Sequence, residues 1–207
     1  TLSDGGKTIA SKSTMRIPDL VLRPTPGQEG QDLSLPFELE TDQVVHTDTQ
    51  TIEIRKAEAR VGSGQERGVL TASGSMRYGK SPGGNIEFNA ESFRSGPFEP
   101  LFADQLGGVR LGQVVISGNG KLAFSQENGL DNADVTLNLT DVQPSGGAFK
   151  QGLPMAVNVE TQLKAAALEG ETGFRVSTLR VVAARSDTKA KVAEANLLSP
   201  LNIKAPD

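Results

Sequence analysis

The chain has 207 residues, of which 36% are hydrophobic and 4% aromatic, and its 25 acidic and 21 basic residues give a net charge of −4. This composition predicts a globular protein rather than a disordered chain, and the acidic balance argues against nucleic-acid binding, which usually needs a basic face. Cysteine is absent, which excludes disulfides, thiol catalysis and zinc sites built on thiolates. No apolar run approaches the roughly 18 residues that a spanning helix needs, so we expect this segment not to cross a membrane.

Alternating apolar and polar residues predict strands along most of the chain, because successive side chains of a strand point to opposite faces. In chain order, the alternating runs lie at 33–39, 52–54, 70–78, 86–90, 114–124, 135–139, 155–163, 174–183 and about 190–198. Clusters of Gly, Asn, Asp and Pro separate the runs and are typical of hairpin turns. The predicted fold class is therefore all-β, an antiparallel meander that forms either a curved, partly open sheet or a two-sheet sandwich.

Several local features refine these strands. The alternation changes phase between Val176 and Leu179, which predicts a β-bulge near Ser177. Pro18 and Pro36 lie in strand-like stretches, and since proline cannot donate to a ladder, we expect edges, bulges or strand ends there. Residues 161–169 are ambiguous between helix and strand, and we expect a strand up to about Leu163 followed by a loose turn.

One short helix is predicted from Pro97 to Leu106. Proline suits the first helical position, the apolar residues Phe98, Leu101, Phe102 and Leu106 follow helical spacing, and Gly107 ends the segment. We expect this helix to plug the core or one end of the sheet; a mobile lid is the alternative.

Residues 74–81, GSMRYGKS, match the phosphate-loop pattern letter for letter. That loop binds phosphate because a helix begins at its lysine and directs backbone N–H groups at the anion. Here Pro82, two glycines and another strand follow, so the segment is predicted to be a hairpin turn rather than a nucleotide site.

No other group of residues predicts an enzyme or a metal site. His46 is the only histidine and lies in the polar stretch 41–51, where it is expected to be a solvated surface residue. The carboxylates of Asp42 and Asp48 are expected in polar loops, where nothing would raise a pKa. The acidic and amide residues of 127–134 do not have calcium-loop spacing and predict a hydrated turn. We therefore expect no catalytic residues, no metal and no cofactor.

The strongest functional signal is one consistently apolar strand face. Helix is too scarce to cover that face along the whole sheet, so the sheet must fold on itself or leave a groove. The predicted lining of such an apolar groove is Leu33, Leu35, Phe37, Leu39, Ile52, Ile54, Ile86, Phe88, Val114, Ile116, Leu122, Phe124, Val135, Leu137, Leu139, Val157 and Val159.

The order of elements at 85–139 resembles a known family. A strand at 85–91 leads into the apolar segment 97–106, then into the glycine exit 107–108, the glycine-containing strand around 118–120 and long amphipathic hairpins. Over about residues 30–200 this arrangement is similar to the AsmA-like and TamB-like bacterial envelope proteins. The resemblance implies a long, curved antiparallel sheet with an apolar concave face, located in the periplasm and involved in lipid transport or outer-membrane biogenesis.

The expectation that follows is a non-enzymatic periplasmic segment that binds acyl chains along an apolar β-groove. The expected partners are phospholipid or another acyl lipid and the remaining parts of a parent chain that is anchored to the inner membrane. Residues 1–207 are expected to form a single β-rich domain cut from that longer protein, with a subdivision near 107–112 as the alternative. The competing interpretation is a β-sandwich binding or adhesion module of a large cell-surface protein, with a closed core.

Overall fold

The computed structural model describes residues 1–23, 32–64, 67–95, 107–110, 112, 114–147, 155–169 and 173–204. Apart from a short 3₁₀ turn, Asp4–Gly6, their regular structure is entirely β, which confirms the predicted fold class. The strands are β1 (Leu2–Ser3), β2 (Thr8–Leu22), β3 (Leu33–His46), β4 (Thr51–Val61), β5 (Gly68–Arg77), β6 (Gly83–Arg94), β7 (Val109–Arg110), β8 (Val115–Ser125), β9 (Gly129–Val142), β10 (Ser145–Gly146), β11 (Val157–Ala167), β12 (Gly173–Arg185), β13 (Lys191–Asn196) and β14 (Leu201–Lys204).

Twelve of these strands form one antiparallel sheet in the order β1-β2-β3-β4-β5-β6-β8-β9-β11-β12-β13, and β14 pairs with β12 beside β13. Strands β7 and β10, which lie in the connections β6–β8 and β9–β11, form a separate two-stranded ladder. Almost every strand of the large sheet is therefore hydrogen-bonded to its neighbours in sequence, as a meander requires. The sheet does not close on itself, because its first and last strands are not paired with each other.

The pairing register gives the large sheet two different faces. Residues that stand opposite each other in neighbouring strands lie on the same face, and the register links Phe37 to Val61, Ile54 to Gly74 and Ile86 to Leu122. We call the side that carries these residues the apolar face. The opposite side, which carries residues such as Glu38, Arg60 and Lys121, is the polar face.

Bulges keep the apolar residues on one face where the alternation is interrupted. Ser177 is the extra residue opposite Lys164 and Ala165, as predicted from the phase change. The ladder of β2 and β3 shifts between Ile17 and Leu20, beside Pro36, which confirms the expectation for both prolines. Ser92 and Asp141 lie at further register shifts and adopt positive φ angles of 60° and 59°.

The structure lengthens several predicted strands and adds others. Strand β3 continues to His46, so Asp42 lies in a strand and not in a polar loop, because the ladder with β4 continues and places Val45 opposite Ile52. Strand β11 continues to Ala167, past the turn expected after Leu163. The last predicted strand is followed by β14, and both pair with β12.

The predicted hairpin at 74–81 is confirmed, since β5 ends at Arg77 and pairs antiparallel with β6, which begins at Gly83. The helix predicted at 97–106 lies outside the described residues. At 107–112, the proposed point of subdivision, β6 on one side pairs directly with β8 on the other.

Candidate functional site

The candidate site is the apolar face of the large sheet. The register places all the predicted lining residues that belong to strands on this face, from Leu33 in β3 to Val159 in β11. It also adds residues that the sequence patterns did not single out as lining: Ile9, Met15, Ile17, Ala57, Ala59, Val61, Phe93, Leu163, Val176, Leu179, Val181, Leu201 and Ile203. From β3 to β14 the only charged side chain that the described register assigns to this face is that of Arg185, at the end of β12.

Five residues distinguish an open sheet from a sandwich, because two packed sheets would bury all of them. Leu35, Phe37, Ile116 and Phe124 are only partly buried, and Leu137, in the middle of the sheet, is 38% exposed. The accessible surface of the chain is 13261 Å², against about 9,200 Å² for a compact protein of this mass. The described strands thus form a broad layer rather than two sheets around a closed core.

One part of the apolar face is well packed. Ala133, Ala165 and Val176, on the neighbouring strands β9, β11 and β12, are buried and surrounded by Leu122, Leu130, Val135, Leu163 and Leu197. Val114, the one predicted lining residue that precedes its strand, is 1% exposed. Its N–H donates to the Ser95 hydroxyl at 3.2 Å, so it is anchored inside the structure rather than presented to a ligand.

Phenylalanine rings cover glycines across neighbouring strands of the apolar face. The ring of Phe88 lies against Gly120, and a Cβ atom added to that glycine would lie 2.9 Å from the ring. Phe93 covers Gly68 in the same way, at 2.6 Å. Such pairs fill the space that glycine leaves on a pleated surface, and here the rings lie along the sheet rather than standing away from it.

The polar face carries cross-strand ion pairs, and at β2–β4 these pairs merge into a network. Arg60 donates from Nη1 to Glu40 at 3.2 Å, lies 3.4 Å from Glu38 and also pairs with Glu58. Lys56 bridges Glu58 at 2.6 Å and Glu40 at 3.8 Å. Because Glu40 and Glu58 stand directly opposite each other, the two cations relieve a repulsion between like charges.

These contacts lower the pKa of Glu38 and of Glu58. A hydrogen bond from Lys56, together with the charge of Arg60, holds the pKa of Glu58 below its ordinary value despite partial burial. Farther along the sheet the polar face uses simpler pairs, Lys121 with Glu87 at 2.6 Å and Lys164 with Asp134 at 2.7 Å. The charges of these residues are therefore paired within the chain.

The other residues considered from the sequence, His46 and the acidic and amide residues of 127–134, make structural contacts. His46 ends β3, with its Nε2 atom 4.0 Å from Glu53 and its side chain partly exposed, as expected of a surface histidine. Asp131 accepts hydrogen bonds from Asn128 and Ser125, both at 2.7 Å, in the β8–β9 hairpin, and these bonds lower its pKa. Within the described ranges, no three His, Asp or Glu side chains are grouped so as to hold a metal ion.

No family model matches the chain, and neither a curated protein nor a solved structure was found to be similar to it. In the part of the chain that the structure describes, no helix is both long and apolar enough to span a membrane.

Proposed function

We propose that the chain is a non-enzymatic lipid-handling segment that binds acyl chains along the apolar face of its sheet. The observation that carries the proposal is an apolar face that runs from β2 to β14 while the residues at its centre stay partly exposed. Contiguous apolar surface of this kind usually marks a site of interaction.

The chemistry of the apolar face favours hydrocarbon chains. Its side chains are mostly Leu, Val, Ile and Ala, so there are few polar groups that would select an oriented, hydrogen-bonding ligand. Transfer of each methylene group of a ligand from water to such a surface contributes about 0.8 kcal/mol. Affinity would then increase with chain length rather than depend on one specific contact.

The resemblance to AsmA-like and TamB-like proteins supports a cellular location and a process for this proposal. In that setting the chain is part of a longer protein of the bacterial periplasm that works in lipid transport or outer-membrane biogenesis. An open amphipathic sheet supports this proposal better than the closed core of an adhesion module, because the residues that a sandwich would bury are partly exposed.

The proposal is tested by lipid that remains bound to the purified chain, detected by mass spectrometry after organic extraction. The decisive variant is Leu137→Asp, which introduces a carboxylate at an exposed position of the apolar face. We expect this variant to fold, since water reaches the new charge, but to lose most of its bound lipid.

Thr136→Asp is the matched control, because the adjacent residue of β9 points to the polar face, opposite the neutral residues Asn119 and Gln162. It should retain lipid like the wild type. A wild-type chain that carries no lipid and binds no added fatty acid would contradict the proposal, as would equal lipid loss in both variants.

A further inference from the structure

A second site is indicated on the polar face, beside the bulge at which the register of β2 and β3 shifts. The prolines Pro18 and Pro36 interrupt the ladder there, and a surface cleft of about 230 Å³ opens beside them. Three arginines line the cleft, Arg16 from β2, Arg60 from β4 and Arg67 from the residue before β5.

The three guanidinium groups converge on a single carboxylate, that of Glu38. Arg16 donates from Nε to Glu38 Oε1 at 2.8 Å, and Arg67 donates from Nη2 to Oε2 at 2.9 Å. Arg60 is 3.4 Å from the same carboxylate, but its Nη1 and Nη2 groups are also engaged by Glu40 and Glu58. Among the described residues the charges of Arg16 and Arg67 are thus shared by one acid, Glu38, so one positive charge at the cleft has no acidic partner there.

The two outer arginines also keep hydrogen-bond donors available. A guanidinium carries five N–H donors, and among the described residues Arg16 and Arg67 each use one donor on a side chain. Their side chains are 74% and 44% exposed, whereas that of Glu38 is 16% exposed. Hydrogen bonding to Arg16, with the nearby charges, lowers the pKa of Glu38, so this carboxylate stays ionised and holds both guanidiniums at the rim.

We propose that Arg16 and Arg67, oriented by Glu38, bind a phosphate-type anion in this cleft. Paired guanidinium forks match the oxygens of a phosphate group and are preferred over lysine where a planar, two-point contact is made. The cleft has room for such a group, because its volume of about 230 Å³ is several times the roughly 30 Å³ that one water molecule occupies in the liquid. Arg16, Arg67 and Glu38 belong to the polar face, while Ile17 and Phe37 of the apolar face also line the cleft. The proposal does not rest on lipid binding by the apolar face.

Two probes distinguish the sources of the anion. Isothermal titration calorimetry would use inorganic phosphate, and separately monomeric dihexanoyl phosphatidic acid, with chloride added to keep the ionic strength constant. We expect Arg16→Gln and Arg67→Gln each to weaken binding about tenfold to a hundredfold, since one charge-assisted hydrogen bond contributes that much. Lys164→Gln, which removes a cation of intermediate exposure paired one-to-one with Asp134 on the same face, should leave the affinity unchanged.

Equal binding of the two probes would identify a free phosphate site, and tighter binding of the lipid would identify the headgroup of an amphiphile; both results support the cleft. The proposal is overturned if the wild-type chain binds neither probe. It is also overturned if Lys164→Gln weakens binding as much as the two arginine variants, because the effect would then reflect net charge alone. Circular dichroism of each variant checks that the sheet is intact.

Discussion

The side chains on the two faces of the large sheet differ in how far they find partners within the chain. On the polar face, charges find partners on the neighbouring strand, as Lys121 does with Glu87 and Arg60 with Glu40 and Glu58. On the apolar face, contacts within the chain cover only part of the surface, because a compact cluster around Val176 is buried while Leu137 is not. The difference is that most of the named charges of the polar face are paired across strands, whereas much of the apolar face stays partly exposed.

The largest expected effect comes from placing a charge inside the buried cluster of the apolar face. Val176 is 6% exposed, so Val176→Asp should lower the free energy of unfolding by at least about 3 kcal/mol. Urea denaturation would measure the change, with Thr178→Asp on the polar face of the same strand as the control. A Val176→Asp chain as stable as the wild type would mean that the cluster is open like the rest of the apolar face.

A smaller effect should come from the glycines beneath the phenylalanine rings. A Cβ atom at Gly68 would lie 2.6 Å from the Phe93 ring, and its three nearest atoms would all belong to that ring. We therefore expect Gly68→Ala to cost about 1–3 kcal/mol through overpacking. In a Phe93→Ala background the same change should cost less, so a double-mutant cycle by thermal denaturation isolates the contact between the two residues. Additive effects of the two changes would show that the residues are not coupled.

The smallest effect concerns a charge on the polar face at the edge of the sheet. Hydrogen bonds from Lys191, then Arg180 and Asn196, lower the pKa of Glu194 from 4.5 to about 2. A group whose folded pKa is depressed stabilises the fold above its unfolded pKa, and this contribution is lost as the pH falls toward the folded value. Stability should therefore decline between about pH 4.5 and 2, and less steeply in Glu194→Gln. Because the group is solvent-exposed, the difference should be small and should shrink in high salt.

Most strands of the sheet and their two faces could be predicted from the sequence, because alternating apolar and polar residues identify a strand directly. The phase change after Val176 even located the bulge at Ser177. Strand β2 was harder to recognise, since its apolar-face positions include Ser11 and Ser13, which break the alternation.

The two candidate sites differ in how far the sequence could reach them. Most of the apolar lining follows from alternation alone, but Ala57 and Phe93 lie beyond register shifts that reset the alternation. The convergence of Arg16, Arg60 and Arg67 on Glu38 depends on the register of strands β2, β3 and β4 and on the position of Arg67 just before β5. Sequence patterns specify which face a residue occupies, but they do not specify which distant residue lies beside it.

The meander topology has a consequence for how this protein can change in length. Since nearly every strand pairs with its neighbour in sequence, each hairpin depends chiefly on the next one, as units do in a linear array of repeats. Inserting or deleting a hairpin would lengthen or shorten both faces together without altering the pairing elsewhere. In evolutionary terms, the width of the sheet is a quantity that selection can adjust one hairpin at a time.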